Sequence, residues 1–146
     1  MVYQNKVTMI SDIPIFVDTS CWLALVNASD SLHEHASVIY EKLVAQQRRF
    51  MTHQAVLLET GNGLASYRLR PLAINLKAKL ETSEIVEVIE VTKELYEAGW
   101  KLYANRPDKD WGIVDCISFV LMERENVAEA LTADHHFEQA GFIKLL

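Results

Sequence analysis

The sequence has few cysteines, few basic residues and no long hydrophobic run, and each scarcity excludes a class of protein. Cys21 and Cys116 lie in apolar stretches without C-x-x-C or Cys/His spacing, which excludes a disulfide-stapled fold and disfavours a zinc ribbon. No apolar run reaches the roughly 18 residues that a membrane span needs. The first residues also lack the pattern of a signal peptide. We therefore expect a cytoplasmic protein that does not contact a membrane.

Basic residues are outnumbered by acidic ones, 14 against 20, so the formal charge is −6 with histidine neutral. Proteins that hold nucleic acid by bulk charge are usually basic, and this balance argues against that mode of binding. Half of the 146 residues are hydrophobic, enough for the core of one domain. We assign residues 12–146 to that domain and residues 1–11 to an N-terminal extension.

Short apolar segments alternate with amphipathic helical segments along the chain. This alternation is typical of parallel strands joined by crossover helices. The fold class predicted is α/β, a three-layer α/β/α sandwich with a central, mostly parallel sheet. Residues 111–126 are apolar on nearly all faces and predict a buried helix. Strands are predicted at 13–17, 49–52, 85–91, 130–132 and 142–145.

Four carboxylates interrupt apolar runs, each the only one in its run: Asp18, Glu59, Asp115 and Asp134. An ionised carboxylate in such surroundings costs several kcal/mol unless it is paired, hydrogen-bonded or bound to a metal. Asp18 and Asp134 directly follow predicted strands. Because parallel α/β sheets bind ligands beyond the carboxyl ends of their strands, we expect these two side chains to converge there.

The runs that hold these carboxylates contain no arginine to neutralise them. Like charges brought together raise one another's pKa unless a divalent cation lies between them. Oxygen ligands without Cys or His spacing favour Mg²⁺ or Mn²⁺, and such an ion activates water for attack on a phosphodiester. We therefore predict that all four carboxylates bind metal and act in catalysis.

Each carboxylate also has a local structural explanation. Asp18 can cap a helix that begins at Ser20, Asp110 can cap one that begins at Trp111, and Asp134 can head a turn. Glu59 can lie on a helix surface. For any one residue taken alone, the structural alternative stays open. To explain the whole pattern without a metal site, however, all of these alternatives would have to be true independently. The joint pattern favours the metal site.

Four segments carry a resemblance to a known family: IFVDTSCWLALVNASDSLHEHA, LLETGN, DKDWGIVDCISFVLMERENV and ALTADHHFEQAGF. In this order and spacing they resemble the PIN domain, a nuclease family that includes the toxins of VapBC-type toxin–antitoxin pairs. The resemblance implies the α/β/α sandwich and metal-dependent hydrolysis of RNA.

The family's acidic positions match residues of this chain one by one. The four principal positions correspond to Asp18, Glu59, Asp115 and Asp134, and a further acidic position corresponds to Asp110, to which we assign a supporting metal or substrate role. Hydroxyls beside them are available to orient carboxylates or water, with a cap or turn role as the alternative; they belong to Thr19, Ser20 and Thr132.

The resemblance also implies partners. An RNA substrate is expected, together with a small antitoxin whose C-terminal segment covers the acidic crevice and inserts a basic side chain. It further suggests a homodimer formed through apolar helix faces.

Two residues depart from the family pattern and favour a different function. Gly112 and Val114 stand where relatives commonly carry serine and threonine, which favours, as the alternative, a catalytically weak or inactive RNA-binding or regulatory module. A phosphatase with Asp18 as nucleophile is less favoured, because Ser20 occupies the place of the second aspartate that such enzymes use.

His135 and His136 adjoin Asp134 but are predicted to be surface residues. Side chains one residue apart are expected to point differently, so we predict that the two histidines do not form a metal pair. Core or interface packing is expected for Trp22, Trp100 and Trp111.

Overall fold

A computed structural model describes residues 12–146, and the predicted extension at residues 1–11 lies outside them. Strands and helices alternate as the sequence predicts. In chain order the elements are β1 (Ile15–Val17), α1 (Thr19–Val26), α2 (His33–Ala45), β2 (Phe50–His53), α3 (Gln54–Gly63), α4 (Arg70–Glu81), β3 (Val86–Ile89), α5 (Lys93–Asn105), α6 (Ile113–Arg124), β4 (Glu129–Leu131), α7 (His136–Gln139) and β5 (Ile143–Lys144).

The five strands form one parallel sheet in the order β3-β2-β1-β4-β5, flanked by the helices. The predicted α/β/α sandwich is therefore confirmed. Strand β1 is central and pairs with β2 and β4, with Phe16 opposite Met51 on one side and Ala130 on the other. Because β1 and β4 are neighbours, the residues that follow them meet at one edge of the sheet.

The strands near the centre of the sheet are apolar because helices cover both faces. Every residue of β1 is fully buried, so the strand reads as a continuous hydrophobic run rather than an alternating one. Phe137 stacks on Phe16 with 6.0 Å between ring centroids, and this contact anchors α7 on the sheet. Among the tryptophans, Trp22 and Trp111 are buried, whereas Trp100 is 42% exposed.

The starts of three helices show which side chains cap a helix and which do not. Thr92 caps α5, since its Oγ1 accepts the N–H of Leu95 at 3.2 Å. Helix α2 begins at His33, and Asp30 accepts the N–H of Leu32 in a turn before it instead of capping the helix. The N-cap of α6 is Gly112, so the alternative that Asp110 caps a helix beginning at Trp111 is wrong.

None of the helices within residues 12–146 is long and apolar enough to cross a membrane.

Candidate active site

Asp18 directly follows β1 and is only 4% exposed. Helix α1 begins at Thr19, one residue earlier than predicted, and Asp18 is its N-cap by backbone position. The carboxylate makes no capping hydrogen bond to the helix. Its Oδ2 instead accepts a hydrogen bond from Thr132 Oγ1 at 2.9 Å, which turns the carboxylate towards the end of β4.

Burial raises the pKa of Asp18 to about 7, because the charged form loses its hydration. The N–H of Thr19 and the hydroxyl of Thr132 act in the opposite direction, and the negative charges of Asp115 and Glu59 raise the pKa further. No cationic side chain pairs with Asp18 among residues 12–146. The protein therefore holds a poorly compensated carboxylate at this edge of the sheet.

Hydroxyl groups join the ends of β1 and β4. Thr132 Oγ1 donates to Asp18 and accepts the backbone N–H of Asp134 at 3.0 Å. Ser20 Oγ lies 3.3 Å from Thr132 Oγ1 and accepts the N–H of Ala133 at 3.0 Å. Two of the three predicted supporting hydroxyls thus bridge the strand ends. The third, Thr19 Oγ1, is buried without a hydrogen-bond partner in the described part of the chain.

Asp115 lies in the first turn of α6, where the helix dipole favours a negative charge. Its Oδ2 accepts the N–H of Gly112 at 3.1 Å, and its side chain is 15% exposed. Burial raises the pKa of Asp115; the Gly112 hydrogen bond lowers it, and the charge of Asp134 raises it. Asp115 is therefore electrostatically coupled both to Asp18 and to Asp134.

Asp134 follows β4 and does head a turn. Its Oδ1 accepts the N–H of His136 at 2.9 Å, at the start of α7. The other oxygen, Oδ2, accepts no hydrogen bond within residues 12–146. The turn therefore uses one oxygen of this carboxylate as a hydrogen-bond acceptor and leaves the second available to a ligand.

Glu59 and Asp110 are placed less centrally. Glu59 is exposed on α3, as the surface alternative expects, yet its charge is close enough to raise the pKa of Asp18. Asp110 is exposed and takes part in no hydrogen bond or ion pair in the described chain. The acidic site, as we use the term below, consists of Asp18, Asp115 and Asp134 with Glu59 at its margin.

His136 is a member of the site that the sequence did not indicate. Its Nδ1 lies 3.1 Å from Asp115 Oδ2 and 3.3 Å from Asp134 Oδ1. His135 Nδ1 lies 3.6 Å from the same Asp134 oxygen, and the two imidazole centroids are 4.5 Å apart. The expectation that the two side chains diverge is therefore wrong, because the turn headed by Asp134 brings both rings back towards its carboxylate. An Asp two residues before a His, at a strand end, is the signal that predicts this turn.

The donor atoms of the acidic site fit a divalent cation. Carboxylate oxygens are the ligands that Mg²⁺ and Mn²⁺ prefer, and Asp115 and Asp134 each have an oxygen free of hydrogen bonds from the described residues. A cation would also offset the mutual repulsion that raises the pKa of Asp18 and Asp115.

The chain is similar to known proteins over most of its length. The family model of the PIN domain matches residues 15–143. The 23S rRNA-specific endonuclease VapC20 of Mycobacterium tuberculosis is 33% identical over 131 residues, which cover 90% of this chain and 97% of the relative. The crystal structure of VapC20, described as a Sarcin-Ricin loop cleaving toxin, superposes with a TM-score of 0.78 at 32% identity, over 90% of this chain and 98% of that one. The chain belongs to the PIN domain family.

Proposed function

We propose that this protein is a toxin endoribonuclease that hydrolyses RNA phosphodiester bonds with Mg²⁺ or Mn²⁺ held in the acidic site. The observation that carries the proposal is the convergence of Asp18, Asp115 and Asp134 without a lysine or arginine partner among residues 12–146. Such an arrangement is costly for a fold alone and is explained by a divalent ligand.

The chain's own residues position the groups that would hold the ion. Thr132 at the end of β4 fixes the Asp18 carboxylate and is itself contacted by Ser20 of α1, and the N–H of Gly112 fixes Asp115 from the start of α6. Burial of Asp18 excludes bulk water from one side of the site. A bound divalent cation would supply a coordinated water of lowered pKa and neutralise charge that develops on the phosphate.

Structured ribosomal RNA is the substrate class that we infer. The relative at 33% identity is named as specific for 23S rRNA, and the matching structure is described as cleaving the Sarcin-Ricin loop. With a net charge of −6, this chain lacks a strong basic field. Recognition of the RNA's shape together with the metal would then contribute more to binding than bulk attraction.

The test is cleavage of a Sarcin-Ricin loop oligonucleotide by purified protein with Mn²⁺, Mg²⁺ or EDTA. The Asp115→Asn variant should lose activity by at least about 100-fold, since an amide cannot replace the carboxylate charge. Asp108→Asn is the matched control, because Asp108 is an exposed aspartate that pairs with Arg106, away from the acidic site. Cleavage by Asp115→Asn at the wild-type rate, or cleavage undiminished by EDTA, would contradict the proposal.

One observation favours the alternative of a weak or inactive module. Gly112 contributes only its backbone N–H to Asp115, and a Cβ built there would lie 3.8 Å from Asp115 Oδ2. A serine therefore has room at this position to add a hydroxyl donor. If the missing hydroxyl limits the enzyme, Gly112→Ser should increase cleavage about tenfold or more. Unchanged cleavage by an active wild type would exclude this alternative.

We further propose a cytoplasmic toxin that pairs with a small antitoxin and forms a homodimer. Leu58 and Ile74 are 71% and 64% exposed and line an apolar groove between α3 and α4, as expected of a surface that a partner covers. Co-expression with the small protein encoded next to this one, followed by co-purification and light scattering, tests both partners. A monomer that captures no such protein at micromolar concentration would contradict this assignment.

A further inference from the structure

We propose that His136 is a direct nitrogen ligand of the metal in the acidic site, so that the site prefers Mn²⁺ to Mg²⁺. This assignment rests on the metal-dependent function proposed above. It departs from the all-oxygen site that the sequence predicts, and it gives a role to a residue that the carboxylate mechanism does not use.

The spacing of the donor atoms carries the proposal. His136 Nδ1 lies 3.1 Å from Asp115 Oδ2 and 3.3 Å from Asp134 Oδ1. Adjacent ligands of an octahedral ion with bonds of about 2.1 Å lie about 3 Å apart. The His136 nitrogen therefore lies at the separation of a neighbouring ligand from one oxygen of each carboxylate, and the two carboxylates come from two parts of the chain.

The position of His136 is set by the fold. Its side chain is only 18% exposed, and its backbone N–H is bound to Asp134 Oδ1 at 2.9 Å. The next residue, Phe137, is fully buried and packs edge-on against Phe119 at 4.9 Å between centroids. A freely rotating surface histidine would have neither the burial nor the anchored neighbour.

The neighbouring histidine provides an internal comparison. His135 is 71% exposed, and its Nδ1 lies 3.6 Å from Asp134 Oδ1 but forms no contact with Asp115 among the described residues. Ligand atoms of Asp134, His135 and His136 all lie within 4.8 Å of one another. Of the two histidines, His136 is the one that also contacts Asp115, and we therefore assign the nitrogen ligand to it. With the metal bound, the His136 ring carries its proton on Nε2 and presents Nδ1 as the donor atom.

Ligand chemistry determines the preferred ion. Imidazole nitrogen suits first-row transition ions, whereas Mg²⁺ retains water and oxygen ligands. Replacing one oxygen by the His136 nitrogen therefore raises the affinity for Mn²⁺ relative to Mg²⁺.

The first experiment is pulsed electron paramagnetic resonance of Mn²⁺ bound to the intact protein without RNA. The wild type should show ¹⁴N coupling from one imidazole, and His136→Asn should lose it. The asparagine amide can retain a hydrogen bond to Asp115, so this variant separates a ligand from a residue that only orients the carboxylate. His135→Asn should keep the coupling, as should the control His35→Asn on the exposed face of α2.

Calorimetric titration gives a second readout. In His136→Asn the affinity for Mn²⁺ should fall by about tenfold or more, and the affinity for Mg²⁺ should fall less. Equal losses for the two ions would overturn the nitrogen assignment. Thermal unfolding of each variant verifies that it is folded, and the wild-type spectrum tests the proposal even if a variant is not.

Two other outcomes separate this inference from the proposed function. A wild type that binds Mn²⁺ and cleaves RNA but shows no ¹⁴N coupling would overturn the role of His136 and leave the nuclease intact. A wild type that neither binds Mn²⁺ nor cleaves RNA would overturn both. Coupling that persists in His136→Asn would also refute the assignment.

Discussion

The end of β2 and the end of β1 lie at the same edge of the sheet, and each buries a polar side chain. His53 at the end of β2 is fully buried, and Asp18 at the end of β1 is 4% exposed. The two sites differ in what surrounds the polar atoms. His53 is enclosed by partners that match it, whereas Asp18 is enclosed partly by other negative charges.

The partners of His53 determine its charge state. Ser118 Oγ donates to the carbonyl of Val114 at 2.9 Å and so accepts a hydrogen bond from His53 Nε2 at 2.8 Å. The other ring nitrogen, Nδ1, accepts the N–H of Val56 at 3.3 Å. Both nitrogens are satisfied in the neutral ring, and burial lowers the pKa of His53 to about 4.

The comparison separates a structural polar group from a functional one. The His53 network closes on itself and leaves no atom for a ligand, and it caps α3. At the acidic site the hydrogen bonds orient the carboxylates without neutralising them. Burial alone therefore does not mark a site; burial with charge left uncompensated does.

The largest effect is expected for Asp18→Asn. The folded state raises the pKa of Asp18 from 3.8 to about 7 and so binds more protons than the unfolded state between these values. The carboxylate therefore costs stability as the pH rises through this window, by about 4 kcal/mol above pH 7. Asparagine keeps an acceptor for Thr132 without the charge. We expect urea unfolding at pH 8, without metal, to show a more stable variant that cleaves RNA at least about 100-fold more slowly.

A variant of Asp18 that loses both activity and stability would show that the carboxylate stabilises the fold, and the contrast with His53 would fail. Asp108→Asn, at an exposed ion pair with Arg106, is the control for the loss of a carboxylate.

The next effect concerns His53 and pH. Its pKa is lowered from 6.5 to about 4, so the unfolded state binds more protons between these values. The contribution of His53 to the free energy of unfolding is therefore fully present above pH 6.5 and falls by about 3 kcal/mol towards pH 4. Because Asp18 titrates with the opposite sign in this range, the measurement is best made in the Asp18→Asn background. Adding His53→Gln should remove the decline, and an unaltered slope would refute the neutral, buried ring.

A smaller loss of stability and of RNA cleavage is expected for Thr132→Val, which keeps the shape of the side chain but removes the hydroxyl between Asp18 and Asp134. The N–H of Asp134 would lose its acceptor, at a cost of about 1–3 kcal/mol. The misplaced carboxylates should slow RNA cleavage by about 10–100-fold. Thr132→Ser should restore both quantities, and failure of the serine to do so would assign the effect to packing.

The smallest effect is expected for Gly61→Ala in α3, the helix that His53 caps. A Cβ there meets nothing within 4 Å, so alanine should stabilise the protein by about 0.5–1 kcal/mol without changing cleavage. Gly99→Ala is the contrasting variant, because its Cβ would lie 2.5 Å from Ile117 Cγ1 and should destabilise the protein by about 1–3 kcal/mol. Thermal and urea unfolding measure both changes. Altered cleavage in Gly61→Ala would show that α3 does more than support the site.

Much of the fold could be predicted from local patterns. The Thr92 cap, the apolar strand before Asp18 and the buried helix around Asp115 each depend on a few neighbouring residues, and all three appear in the structure. The site was harder to predict. Glu59 is exposed yet acts on Asp18, and Asp110 makes no contact with the other carboxylates among the described hydrogen bonds. His136 was missed because its position depends on a turn.

The sequence by itself determined the alternation of strands and helices and the carboxylates that interrupt apolar runs, because periodicity and composition act over a few residues. Only the tertiary structure decided how these carboxylates are held. Thr132 and Asp18 are 114 positions apart, and their hydrogen bond exists because β1 and β4 pair. The approach of His136 to Asp115 likewise needs β4, its turn and α6 packed together, and no local pattern records that packing.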